Sequence, residues 1–136
     1  MSIIHRNTDY AIRSLIRLRD EGRVMPVAEL AEACEVPVDF LRKIMQKLNA
    51  AGMVNSVQGP SGGYELVGAP ERISLLDVVE CVQGPIRVNA CFDDPSICDN
   101  VPGCGVRARL EQLGEEMECL LDRITMDELQ QRVNTE

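Results

Sequence analysis

Apolar residues recur every three or four positions in three segments of the first half of the chain, which is the spacing of amphipathic helices. The first helix is predicted from Asn7 to about Asp20, and a second, of about two turns, begins at Pro26. A third helix follows the turn at 35–37 and ends near Gly52. The predicted core positions are Ala11, Ile12, Leu15, Ile16 and Leu18 in the first helix, Ala28, Leu30, Ala31 and Cys34 in the second, and Val38, Leu41, Ile44, Met45 and Leu48 in the third. Two short helices around a three-residue turn predict a helix-turn-helix.

A β-hairpin is predicted directly after the third helix. Residues 53–57 and 64–67 are typical of strands, and the glycine-rich segment 58–63 between them is typical of a turn. A helix-turn-helix followed by a hairpin predicts a winged helix. In that arrangement the third helix enters the DNA major groove, and the hairpin wing lies along the backbone or the minor groove.

The second half of the chain combines one more helix of the winged-helix domain, a loop and a long helix. Ser74 and Asp77 form a capping box that opens the fourth helix, and Gly84 ends it. Residues 85–104 are loop-like, and from Val106 onward apolar residues alternate at spacings of four and three, as in a coiled coil. The seam consists of Leu110, Leu113, Met117, Leu120 and Ile124. Such a seam favours a two-fold contact with a second copy, and a helix packed inside its own chain is the alternative.

A second capping box, Thr125 with Glu128, predicts a short terminal helix through Met126, Leu129 and Val133. The expected fold is mainly α with a small β-hairpin: a winged helix-turn-helix plus a long C-terminal dimerisation helix. The expected domains are a DNA-binding domain at 1–84, a cysteine-rich loop at 85–104, and the dimerisation helix with the short last helix at 105–136.

The amino-acid composition argues against a membrane protein and against several common enzyme and RNA-binding sites. The 136 residues are 45% hydrophobic and 26% charged, an ordinary globular mixture without an apolar run that could span a membrane. The N-terminus lacks the pattern of a secretory signal, so we expect a cytoplasmic protein with reduced thiols and no membrane partner. One histidine and no tryptophan leave few groups for a histidine-based triad, a multi-histidine zinc site or an aromatic RNA platform. We therefore expect no enzyme activity.

The charge distribution points to DNA although the net charge is −8. Residues 1–65 carry eight basic and eight acidic residues, so the acidic excess lies in 66–136. The stretch from Phe40 to Tyr64 has no acid and contains the cations of the third helix, which favours phosphate contacts over a merely solvated face. The predicted contacts are Val38, Asp39, Arg42, Lys43, Gln46 and Lys47 on the third helix and Gln58, Gly59, Ser61, Gly62 and Gly63 in the wing. So few phosphate contacts per chain favour a homodimer on a palindromic operator in double-stranded DNA.

Cys91, Cys98 and Cys104 form C-x6-C-x5-C in the polar loop. These spacings are wide for a zinc knuckle and suit thiolates around an iron–sulfur cluster, either 2Fe–2S or 4Fe–4S. A metal-free redox thiol switch and three simply reduced thiols are the alternatives. Cys34 and Cys81 lie in apolar helical patterns and are expected to be buried, whereas the pattern assigns no role to Cys119.

Several segments jointly resemble the Rrf-two family of bacterial transcription regulators. They are T-D-Y-A-I-R-S at 8–14, V-Q-G-P-S-G-G-Y at 57–64, I-S-L-L-D-V-V-E at 73–80, the three-cysteine loop and I-T-M-D-E-L at 124–129. The wing motif with the three cysteines is similar to the cluster-binding branch, which includes IscR-like and NsrR-like regulators. The resemblance implies a homodimeric repressor or activator whose DNA affinity follows the cluster state, with nitric oxide, redox state or iron–sulfur status as the signal.

The resemblance also implies a fourth cluster ligand. IscR-like proteins have a histidine three residues after the last cysteine, where this chain has Arg107. NsrR-like proteins use an aspartate in the first helix of the other protomer, and Asp9 matches that position; His5, Cys119, Cys81 or an exogenous ligand are the alternatives. Six residues separate Cys91 from Cys98 in this chain, whereas five separate the corresponding cysteines of IscR-like and NsrR-like proteins. In the wing, this chain has Gln58 where IscR-like proteins have an arginine that enters the minor groove. A competing hypothesis is an iron–sulfur electron-transfer or carrier protein whose winged helix binds another protein.

Overall fold

The computed structural model describes residues 2–131 and contains five α-helices and one two-stranded antiparallel hairpin in that range. The elements follow in the order α1 (Arg6–Glu21), α2 (Val27–Cys34), α3 (Val38–Ala50), β1 (Val54–Val57), β2 (Gly63–Leu66), α4 (Leu75–Gln83) and α5 (Gly105–Arg123). Short 3-10 turns lie at Pro70–Arg72, Ala90–Phe92 and Pro95–Ile97. This architecture confirms the predicted mainly α fold with a small hairpin and a long C-terminal helix.

The first three helices pack as the apolar periodicity predicts. Leu15 of α1, Leu30 of α2 and Leu41 of α3 are completely buried in one shared core, which also receives Val78 of α4. Ala28 differs from the prediction, because the short α2 turns this residue to solvent. The tight turn between α2 and α3 places Glu35 at φ 56°, so a non-glycine residue adopts the left-handed conformation at the end of α2.

The hairpin is attached to the segment between α1 and α2. Val54 pairs with Leu66 and Val57 with Gly63 across the two strands. Met25 then exchanges two backbone hydrogen bonds with Tyr64, of 2.8 and 2.9 Å. Strand β2 of the wing is therefore also bonded to the segment that precedes α2, close to the turn of the hairpin.

The capping box that opens α4 is confirmed. Asp77 N donates to Ser74 Oγ, and Ser74 N donates to the Asp77 carboxylate, both at 3.0 Å. Beside this cap the chain that leaves α5 returns, because Leu75 N donates to Ile124 O and Met126 N donates to Ile73 O, each at 2.8 Å. The end of α5 is therefore bonded to the start of α4.

The predicted terminal helix is not formed within the described residues. Thr125 N does donate to Glu128 Oε1 at 3.4 Å, which is one of the two bonds of a capping box, but residues 126–128 form only a turn. Met126 is buried, and Val133 lies outside the described residues.

The coiled-coil seam of α5 is divided between two faces. Leu110, Met117 and Ile124 are half-buried, whereas Val106, Leu113 and Leu120 are 68%, 45% and 58% exposed. Each set repeats every seven residues, so the helix covers its own domain with one row and presents the other to solvent. Within the described part of the chain, no helix is long and apolar enough to cross a membrane.

Candidate nucleic-acid interface and cysteine pocket

Helix α3 presents its polar side to solvent beside the wing. Arg42, Lys43 and Gln46 are exposed, while Leu41 and Met45 on the opposite side are completely buried. Asp39 is exposed in the first turn, and the half-buried Val38 packs against the core. The acid-free stretch therefore forms a solvent-facing surface on which two cations and one amide are available for contact with DNA.

Lys47 differs from its neighbours on α3. Its ammonium donates to the backbone carbonyl of Val82 in the last turn of α4, at 3.1 Å. The periodicity predicts Lys47 on the outer side of α3, and the residue is exposed there, but its side chain also reaches back to α4. The cation is thus engaged within the fold, unlike that of Lys43.

The glycines of the wing have mainly a structural role. A Cβ at Gly62 would lie 2.2 Å from Val57 O, and one at Gly63 would lie 2.1 Å from Met25 O, so neither position admits a side chain. Gly59 adopts φ 105° in the turn. Gln58 and Ser61 are exposed and carry the hydrogen-bonding groups of the wing tip.

The three loop cysteines line one pocket of about 350 Å³. Cys91 is buried, Cys98 is exposed, and Cys104 lies between these extremes. The same pocket has apolar walls from Ile97, Val101 and Val106 and polar groups from Asn89, Asn100 and Arg107. The chain thus brings together three thiols that the sequence separates by up to thirteen positions.

The N-terminus of α5 lies at the edge of the pocket. Cys104 is the N-cap residue of α5, and its Sγ accepts a hydrogen bond from Arg107 N at 3.4 Å. A helix N-terminus carries a partial positive charge, which favours a negatively charged group near it. Between Cys91 and Cys98 the loop is ordered by Asp94, whose pKa is lowered by hydrogen bonds from the Ser96 hydroxyl and backbone N–H.

Arg107 contributes a cation, not a ligand, at the position where IscR-like proteins have histidine. Its guanidinium lies 4.9 Å from the centre of the Phe92 ring. Its Nε is buried and has no hydrogen-bond partner among residues 2–131. A guanidinium has no lone pair for a metal, but its positive charge can balance that of an anionic group. Sequence reasoning noted Arg107 only as a departure and missed the role of Phe92.

The three thiols of the pocket are a donor set of the kind that holds an iron–sulfur cluster. Among the described residues, no three His, Cys, Asp or Glu side chains are grouped closely enough to hold one ion. A cluster distributes its thiolate ligands over several iron atoms, so its cysteines need not converge on one point. Three thiols, a helix N-terminus and a cation around one pocket suit such an anionic group.

None of the candidates for a fourth protein ligand lines this pocket within one chain. Asp9 lies on α1 and forms an ion pair of 2.6 Å with Arg13. Cys81 donates to Lys47 O at 3.4 Å, and Cys119 is exposed on α5. His5 precedes α1 as its N-cap residue. The structure therefore brings together three of the four predicted cluster ligands and leaves Asp9 apart from them.

The helix-turn-helix, the attached wing and the exposed cations of α3 define a transcription regulator of the winged-helix type. The family model described as an iron-dependent transcriptional regulator, Rrf-two, matches residues 4–132, and the chain belongs to this family. Its members are transcriptional regulators and not enzymes, which confirms that expectation and favours a regulator over an electron carrier.

Individual relatives agree with this assignment. The chain is 30% identical to the transcriptional regulator NsrR of Bacillus subtilis over 90% of this chain and 86% of that protein. A structure of T. potens IscR matches with a TM-score of 0.71 and 21% identity, over 91% of this chain and 82% of that one. The oxidised form of CymR from Staphylococcus aureus matches with a TM-score of 0.75 and 22% identity, over 99% of this chain and all of that one. At these identities the two structures support the fold alone.

Proposed function

We propose that the protein is a homodimeric DNA-binding regulator whose affinity for a palindromic operator depends on an iron–sulfur cluster in the cysteine pocket. The observation that carries this proposal is the shared pocket of Cys91, Cys98 and Cys104 at the N-terminus of α5. The thiols would bind iron, and the positive end of the helix and Arg107 would balance the negative charge. The regulator would act in the cytoplasm, where DNA is present and thiols stay reduced.

Helix α3 would enter the major groove, with Arg42, Lys43 and Gln46 contacting phosphates and base edges. These side chains are exposed on one helix and carry the donors that such contacts need. Gln58 and Ser61 would contact the DNA from the wing. Because Gln58 is uncharged, we expect less preference for a narrow minor groove than an arginine at this position would give.

The fourth ligand in this proposal is Asp9 of the partner subunit. The Asp9 side chain is 48% exposed and lies near the start of α1, so a second chain can reach it. When bound, the cluster would supply a group that reacts with nitric oxide or oxygen and that is lost under iron limitation. The chain's own part is to hold the loop in one arrangement when the thiols are ligated and to release it when they are not.

The decisive experiment is purification without oxygen, followed by measurement of the visible spectrum and of iron and sulfide per chain. We expect visible absorption with stoichiometric sulfide in the wild type and in Cys119→Ala, whose thiol lies outside the pocket. The Cys98→Ala variant should stay colourless while it keeps a cooperative thermal transition. Full colour in Cys98→Ala would exclude Cys98 as a ligand.

A metal-free thiol switch is the second candidate, because the exposed Cys98 shares its pocket with two other thiols. The structural relative CymR was solved in an oxidised form, which is a property of that protein. A colourless wild type that binds DNA, and whose binding changes when Cys98 is oxidised, would support this candidate instead. If the wild type is coloured, titration with nitric oxide tests whether nitric oxide is the signal of the cluster-binding regulator.

A further inference from the structure

The last turn of α4 is bonded to two other parts of the winged-helix domain. Val82 O accepts the hydrogen bond from Lys47 Nζ of α3. The next residue, Gln83, accepts hydrogen bonds from His5 N at 2.9 Å and from Thr8 Oγ1 at 2.7 Å. Gln83 Nε2 also donates to Ile3 O at 2.8 Å. Successive residues of α4 therefore hold the recognition helix and the N-terminal end of α1.

The cysteine segment begins immediately after this turn. Gly84 ends α4 with φ 85° and ψ −165°, a backbone conformation that glycine adopts readily and residues with a Cβ rarely adopt. Pro85 follows it. Ile86 is buried, so the start of the segment is packed against the fold. A rearrangement of residues 85–104 thus reaches α4 at the point where α1 and α3 are attached.

The hydrogen bond from Lys47 Nζ to Val82 O is favourable for both the carbonyl group and the cation. Val82 lies in the last turn of α4, where carbonyl groups have no partner within the helix. A cation at a helix C-terminus is also favoured by the helix dipole. The Cys81 thiol donates to Lys47 O at 3.4 Å, so a second bond joins the same two turns in the opposite direction. The contact with Val82 occupies one of the three N–H donors of the exposed Lys47 ammonium and directs the side chain toward α4.

We propose that Lys47 is a positioning residue that couples the cysteine segment to the recognition helix, rather than a contact to DNA. This inference rests on the proposed DNA-binding function and adds the route by which the loop acts on α3. Coupling between two sites is reciprocal in binding free energy, so if the arrangement of the cysteine segment changes the affinity for DNA, DNA bound to α3 must shift that arrangement in turn. That consequence is measurable without a cluster.

The test uses the cluster-free, reduced protein and the rate at which iodoacetamide alkylates Cys98, followed by peptide mass spectrometry. Rates are measured without DNA and with a selected duplex at saturation for each variant. We expect DNA to change the Cys98 rate about fivefold or more, as allosteric couplings commonly do. The change should persist in Lys43→Met and disappear in Lys47→Met. Persistence in Lys47→Met would overturn the proposal, because it would show another route or direct shielding.

Salt dependence separates positioning from phosphate contact. The slope of log affinity against log salt should decrease by about one in Lys43→Met and stay unchanged in Lys47→Met. A reduced slope in Lys47→Met would make Lys47 a phosphate contact and overturn the inference. Lys47→Arg retains a cationic donor and should keep the DNA-dependent Cys98 rate even if Lys47→Met does not fold.

The proposed function and the role of Lys47 are refuted by different results. Absence of wild-type binding to any duplex would refute the proposed function itself. Wild-type binding with an unchanged Cys98 rate would refute only the role of Lys47.

Discussion

The six cysteines occupy different chemical environments. Burial raises the pKa of the Cys34 thiol and that of the Cys81 thiol above their ordinary values. Cys98 and Cys119 are exposed. Because the thiolate is the reactive form, a raised pKa lowers the reactive fraction at neutral pH, and burial also limits access.

Alkylation of the reduced, cluster-free protein at neutral pH should therefore proceed in a fixed order. We expect Cys98 and Cys119 to react first, Cys81 later and Cys34 last, with the Cys34 rate increasing as the pH rises toward its raised pKa. Peptide mass spectrometry over time measures the order, and the same reaction in concentrated urea is the control in which the differences should vanish. Equal rates for Cys34 and Cys119 in the folded protein would contradict the burial of Cys34.

Individual residues show where sequence reasoning ends. Periodicity placed Lys47 on the outer side of α3, but it contains no information about which neighbouring helix a four-carbon side chain reaches. The three thiols were grouped from their spacing alone, and the structure brings them to one pocket. Nothing in the local sequence marks Gln83, because its partners Ile3, His5 and Thr8 are more than seventy positions away.

At the scale of elements, the wing depends on a close approach between β2 and the segment before α2. A Cβ at Gly63 would lie 2.1 Å from Met25 O. Because Met25 O is a backbone atom, it cannot move aside as the end of a flexible side chain could. Gly63→Ala should therefore lower the free energy of unfolding by about 1–3 kcal/mol, as substitutions that force backbone shifts commonly do. Urea unfolding measures the loss.

The matched control is Gly105→Ala, at the first position of α5. A Cβ there meets nothing within 4 Å, and alanine favours the helix. We expect Gly105→Ala to be neutral or slightly stabilising. A Gly63→Ala variant as stable as this control would mean that the wing separates from Met25 at little cost.

Elements with strong local signals could be predicted, and those that depend on distant partners could not. The Ser74 and Asp77 capping box defines the start of α4 through local hydrogen bonds, so four residues are enough to recognise it. The pair Thr125 and Glu128 has the same local pattern, yet residues 126–128 form a turn whose backbone pairs with Ile73 instead. Heptad spacing likewise cannot separate the inner row of α5 from the outer one.

At the scale of the whole molecule, the acidic excess and the cations serve different ends of the chain. The balanced first half carries the exposed Arg42 and Lys43, and the excess acid lies after residue 65. An acidic second half repels DNA and therefore favours approach through α3 and the wing. The same chain can thus bind DNA with a net charge of −8.

The exposed row on α5 gives the prediction for assembly. Val106, Leu113 and Leu120 form an apolar stripe, and in a two-fold contact the same stripe lies on both subunits. Leu120→Glu would place like charges close together across that axis and remove apolar contact. We expect the variant to dissociate at concentrations where the wild type is dimeric, as measured by sedimentation velocity.

Ala108→Glu is the matched control for this prediction, because Ala108 is exposed on α5 and lies well away from the stripe around the helix. It adds the same charge and should remain dimeric. Since a palindromic operator needs two linked recognition helices, Leu120→Glu should lose far more affinity for the full site than for a half-site, whereas Ala108→Glu should lose little for either. A dimeric Leu120→Glu would place the two-fold contact elsewhere and leave the outer row of α5 without that role.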